Sequence, residues 1–258
     1  MLGVAYAISA LLIAWLTGSL LIERLCVLGR FRSNTAMSLG TGFFLGAFVH
    51  YFLFENAARF LDFRAALLTT FVVLGFCALV LWWTRRFNSP PEQLEAPLAG
   101  KPSLLLWVAI GLMGLHLALT AIEILHRPVF PWDAWHHWMY RAKAWYLSGE
   151  ISAMDDVTAW ARGEIKSQYA LAGAHYPVFL PTTALWFSVA LGQWSETLVN
   201  LPYLACGIAL ALGVFGIARQ AGVSRVTATV LAYLLFSLPL IGAHLSLAGQ
   251  ADIWMAGL

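Results

Sequence analysis

The feature that most constrains this chain is a succession of apolar runs, each about as long as a bilayer is thick. Residues 3 to 23, 36 to 54, 65 to 83, 103 to 125, 198 to 218 and 226 to 247 are runs of this kind. A helix rising about 1.5 Å per residue needs roughly 20 residues to cross about 30 Å of hydrocarbon. The runs therefore predict an all-α integral membrane protein with about six transmembrane helices and additional juxtamembrane helices. Composition agrees: the chain is 60% apolar, only 11% charged, and has a mean hydropathy of +0.75. A net charge of +2 is too small to point to nucleic acid. Cys26, Cys77 and Cys206 fall in or beside apolar runs and are not spaced as metal ligands, so they read as small packing residues.

Charge placement orients the spans. Arg24, Arg30 and Arg32 follow the first run, and Arg85, Arg86 and Lys101 follow the third, which marks both links as cytoplasmic. The second run carries Gly42-x-x-x-Gly46, a helix-packing pattern. The fourth run then leaves the cytoplasm, and residues 126 to 177, the longest polar segment, lie outside. The next apolar run, Val178 to Leu191, reaches only roughly 21 Å as a helix. If it crosses, Arg219 and Arg225 fall outside. If it only lies on or dips into the membrane, they join the other basic clusters, as charge asymmetry prefers. The second reading also brings Asp133 and Asp252 to one membrane face. No cleavable signal peptide is expected, because the first run is long enough to span and no basic residue precedes it. The chain stops at Leu258 as a further apolar run begins, and reads as a piece of a longer protein.

The segment from Pro131 to Tyr146 concentrates the chemistry. It holds Asp133, His136, His137, Arg141, Lys143 and the tryptophans 132, 135, 138 and 145. As a helix from Ala134, it would align Trp135, Trp138, Ala142 and Trp145 on one face at headgroup level. Arg141 and Lys143 would then be free to meet an anion. Asp133 reads either as a reactive carboxylate or as the cap of that helix, and Asp252 as a second site carboxylate or a loop acid. Asp133 with His136 or His137 could hold a divalent metal, although adjacent histidines diverge on a helix; interfacial histidine is the other reading. Asp155 and Asp156 read as the solvated start of a short helix through Arg162.

Three pieces carry a family resemblance: Asp133-x-Trp135-x-x-Trp138-x-x-Arg141-Ala142-Lys143-Ala144; His175-Tyr176-Pro177-Val178-Phe179-Leu180-Pro181; and the Gly192 to Glu196 turn. With the basic link from Arg219 to Arg225 and Ala251-Asp252, they resemble polytopic GT-C glycosyltransferases of bacteria. These are relatives of protein O-mannosyltransferases and of the enzymes that add aminoarabinose to lipid A. The resemblance covers residues 103 to 258, the expected catalytic membrane region; residues 1 to 102 form an N-terminal three-span region outside it. It implies a polyprenyl-phosphate-linked sugar donor, a lipid, glycan or protein acceptor, and inverting transfer on the extracytoplasmic face of the bacterial inner membrane. Asp133 is the matching catalytic acid or metal-binding carboxylate. Arg141, Lys143, His175 and Tyr176 are the expected substrate contacts, and a divalent metal is a possible cofactor. The rival readings are a transporter or flippase for a lipid-linked glycan, and a non-catalytic subunit of an envelope assembly.

Overall fold

The computed structural model describes residues 2–85, 103–164, 169–171 and 173–257. The linker carrying Arg86 and Lys101 lies outside the described residues. The protein is helical almost throughout, as the apolar runs predict. Helices α1 (Leu2–Leu28), α2 (Thr35–Ala57), α3 (Phe63–Arg85) and α4 (Leu104–His126) each exceed the length a span requires. A single 3-10 turn, Leu198–Asn200, leads into α8 (Leu201–Gln220), which makes the fifth long apolar helix. Between α4 and α8 lie a five-residue π turn (Ala134–Trp138), α5 (Met139–Ser148), α6 (Val157–Ala161) and α7 (Phe179–Leu191). A two-residue parallel pairing joins β1 (Asp155–Asp156) to β2 (Ala170–Leu171).

The sixth apolar run is not one straight helix. It divides into α9 (Arg225–Phe236) and α10 (Pro239–Ser246), which meet at 63°. Pro239 explains the break, because it has no N–H to donate and drives Leu238 into extended backbone (φ −60°, ψ 131°). A short helix α11 (Asp252–Met255) completes the described elements.

Small residues set how closely the spans approach. Gly42 and Gly46 of α2 face Gly18, Ser19 and Ala14 of α1; a Cβ at Gly46 would fall 2.0 Å from the Ala14 carbonyl oxygen. On its other side α2 meets α8 just as closely, at Gly40 against Gly213 and Met37 against Gly216. Backbones packed at this range gain dispersion contacts that larger side chains would forbid. The contact joins the predicted N-terminal and catalytic regions through one core.

The two ends of the bundle differ in charge. Arg24, Arg30, Arg32, Arg85, Arg219 and Arg225 gather at one end with Glu23. Asn34 donates to the Gly216 carbonyl at 2.7 Å there, and Arg85 pairs with Glu23 at 3.3 Å. The opposite end carries the long 127–197 segment. Helix α7 does not cross to the basic end. Residues just before it touch Arg141 of α5, while Trp194 and Glu196, just after it, return to Tyr146 and Lys143 of the same helix. Nor does α7 lie on the surface. It is buried along nearly its whole length against α1, α2, α3 and α5, with Trp186 against His50 at 4.1 Å between ring centroids.

Candidate functional site

The loop end brings together most of the residues singled out from the sequence. Asp133 precedes the π turn, is exposed, and makes no hydrogen bond or ion pair among the described residues. Its side chain does not cap the helix, which leaves the carboxylate available. By taking more residues per turn than an α-helix, the π turn rotates the register between Trp135 and Trp145. The expected tryptophan face therefore splits: Trp135 is 58% exposed, whereas Trp145 is buried and donates its indole N–H to the Ser152 carbonyl at 2.8 Å. Helix α5 is thus packed against the loop end along the face that carries Trp145.

Arg141 is also buried. Its Nη1 donates to the Tyr176 carbonyl at 3.0 Å, and its Nη2 to the carbonyls of Ala174 (2.8 Å) and Gly173 (3.2 Å). Its guanidinium lies 5.9 Å from the centre of the Trp145 ring. Burial pushes the Arg141 pKa down, yet a guanidinium starts so high that it stays charged. Arg141 therefore anchors the turn before α7. Lys143 is half-exposed and donates to Glu196 Oε1 at 2.6 Å; the same oxygen accepts from Trp194 Nε1 at 2.8 Å. The Glu196 carbonyl accepts from Val129 N–H, so this residue ties the Gly192 to Glu196 turn both to α5 and to the segment entering the π turn. The sequence offered this turn only through a resemblance; nothing in its composition announced Glu196 as a junction.

A continuous row of rings faces outward from the site. His136 lies 4.6 Å from Trp132 and 5.8 Å from Trp135 between centroids, and 5.5 Å from His137. Tyr176 continues the row, stacked on Trp138 at 5.5 Å and flanked by His137 and His175 at 5.4 and 4.9 Å. Arg141 holds the turn that presents Tyr176, so the two segments singled out from the sequence do meet.

Asp252 stands at the same end. A Cβ at Gly249 would lie 2.5 Å from the Ala134 Cβ, and only a glycine tolerates both that approach and φ +106°. The loop leading to Asp252 therefore rests on the residue next to Asp133. Asp252 itself is exposed, with its Oδ2 3.5 Å from Nδ1 of His244 on α10. Asp156 caps α6 by accepting from the N–H groups of Thr158 and Ala159, which lower its pKa below the usual carboxylate range.

Among the described residues, no three His, Cys, Asp or Glu side chains converge as a metal's ligand set requires. The set of Asp133, His136 and His137 expected from the sequence is not assembled. Comparison with protein-family models, with curated proteins and with solved structures finds no match to this chain.

Proposed function

We propose that this chain is the catalytic membrane region of a glycosyltransferase of the GT-C kind, acting on the extracytoplasmic face of a bacterial inner membrane. The sugar donor is a polyprenyl-phosphate-linked sugar, and the acceptor is a hydroxyl of a lipid, glycan or protein. The observation that carries the reading is the contact of Gly249 with Ala134, which seats Asp133 and Asp252 at one end of the bundle, away from the arginine-rich end. An excess of Arg and Lys marks the cytoplasmic side of membrane proteins, so the acidic site faces the other way.

In this reading Asp133, whose side chain makes no hydrogen bond or ion pair among the described residues, takes the proton of the acceptor hydroxyl. The hydroxyl oxygen forms its bond to the anomeric carbon from the face opposite the donor phosphate. The bond from that carbon to the phosphate oxygen breaks, and polyprenyl phosphate leaves with the electron pair. One carboxylate suffices for such an inverting displacement. Lys143 gives one N–H to Glu196, and its remaining donors stabilise the charge growing on the leaving phosphate. Arg141 serves as a positioning residue that presents His175 and Tyr176, and the outward row of rings offers flat surfaces on which a sugar can stack.

The test is the full-length protein in membranes, given labelled polyprenyl-phosphate sugars. Release of polyprenyl phosphate is expected, and Asp133→Asn should abolish it at unchanged protein level. Retained release in that variant removes Asp133 from the chemistry.

One observation favours a second reading, a transporter of a lipid-linked glycan. Helices α9 and α10 break where His116 of α4 packs against Phe236, the last residue of α9, at 4.8 Å between ring centroids, and broken helices beside an ionisable group are a transporter's usual site. Movement of labelled lipid-linked glycan across liposomes without release of polyprenyl phosphate would select it.

A further inference from the structure

At the loop end, between the last turns of α2, helix α5 and residues 151–154, lies a cavity of about 450 Å3. Glu55, Arg59, Arg141, Trp145 and Ser152 line it together with apolar side chains such as Val178. Asp133 and Asp252 do not, so this is a separate place from the proposed transfer site.

Two buried polar groups on residues that line this cavity lack partners among the described residues. Arg141 is 2% exposed; three carbonyls engage its terminal nitrogens, but its Nε–H has no acceptor. The Ser152 hydroxyl, also buried, has none either. Buried donors are ordinarily satisfied, so each calls for an acceptor from outside the chain. The charge points the same way. Glu55 is the one carboxylate lining the cavity among the described residues, and Arg59 already engages it at 2.5 Å. Among the described residues the Arg141 charge is thus met by carbonyl dipoles and the Trp145 ring but by no carboxylate, and an anion would neutralise it. The anion that matches guanidinium and hydroxyl donors together is a phosphate, whose several oxygens accept from both.

We infer that this cavity binds a phosphate group, held by Arg141 Nε, the Ser152 hydroxyl and the free donors of Arg59. The phosphate belongs either to a phospholipid headgroup, whose glycerol portion meets the apolar lining, or to a soluble phosphate. The inference stands whether or not the chain transfers sugars.

The experiment uses the full chain purified in detergent. Native mass spectrometry with added phosphatidic acid or diacylglycerol reads the lipid arm, and equilibrium binding of labelled orthophosphate reads the soluble arm. Phosphatidic acid should remain bound and diacylglycerol should not. Ser152→Ala and Arg59→Gln should each weaken binding about tenfold. Arg64→Gln, which changes an exposed arginine outside the cavity, should leave it unchanged. Arg141 is left intact, because its loss would free the turn before α7. Orthophosphate binding with the same sensitivity to both substitutions identifies a soluble ligand; lipid binding alone identifies a headgroup. Binding of neither, or equal behaviour of all three variants, overturns the proposal.

Discussion

Arg141 Nη2 and the Ala174 carbonyl meet at 2.8 Å, joining the first turn of α5 to the turn that precedes α7. With its bonds to Gly173 and Tyr176, this guanidinium is the peg on which the 173–178 segment hangs. Lysine keeps the charge but offers one point where three separated acceptors wait. Arg141→Lys should cost roughly 2 to 4 kcal/mol, since buried carbonyls lose their donor. A lowered melting temperature in detergent, with faster amide hydrogen exchange over residues 173–180, would register it; an unchanged exchange pattern would refute the peg.

Gly249→Val should be more harmful than a loop substitution ordinarily is. The new side chain would overlap Ala134 and force a β-branched residue to φ +106°, together about 2 to 4 kcal/mol. In the proposed function, transfer activity should fall with it, while Gly111→Val, at a helical glycine with open space around it and no positive φ, should leave transfer intact. Equal losses in both variants would contradict the role given to Gly249.

Gly46→Leu should separate α1 from α2. The Ala14 carbonyl oxygen occupies the space a Cβ would need, so the helices must part by more than a rotamer change can absorb. A loss of more than about 2 kcal/mol is expected. Gly75→Leu, where nothing stands within 4 Å, should be tolerated, and thermal melts of the two variants make the comparison.

The α6 cap should respond to acid. Hydrogen bonds from Thr158 and Ala159 depress the Asp156 pKa in the folded chain. A depressed carboxylate contributes its stability above the unfolded pKa of about 3.9 and loses it as pH falls through the lower folded value. Helix α6 should therefore remain capped at neutral pH and fray in strong acid. Carboxyl NMR titration of Asp156 would show its midpoint below about 3.9; a midpoint above it would remove the cap.

Cysteines placed at positions 133 and 252 should react from one compartment, and a cysteine at position 32 from the other. Labelling of 133 and 252 from opposite sides would end the shared-site reading.

The long helices were legible because length and continuous apolarity suffice for them. The failure of Val178 to Leu191 to cross was legible for the same reason, since 13 helical residues cannot reach. What covers α7 was not: burial against α1, α2 and α3 depends on contacts far apart in the chain. Pro239 was visible, yet the average apolarity of 226 to 247 concealed the bend it makes. The π turn was hidden too, because Ala134–Trp138 has no sequence signature that separates it from an α-helical start. Arg141 illustrates a different limit. A guanidinium binds carbonyls as readily as phosphate, and only the fold shows that the 173–176 turn reaches it first. Glu55 and Arg59 could have been noticed as a four-residue-spaced ion pair, but nothing local tied them to Ser152.

The glycine contacts of α2 bear on how a greasy molecule would reach the acidic end. With α1 pressed to one side and α8 to the other at backbone range, no hydrocarbon tail can thread between these three rods. The flank of α4 is different: there a hollow of about 380 Å3 beside His116, Tyr233 and Ser246 sits where α9 turns into α10. Under the proposed function, the prenyl tail of the donor would meet the bundle on that flank and not at the seam of α1, α2 and α8.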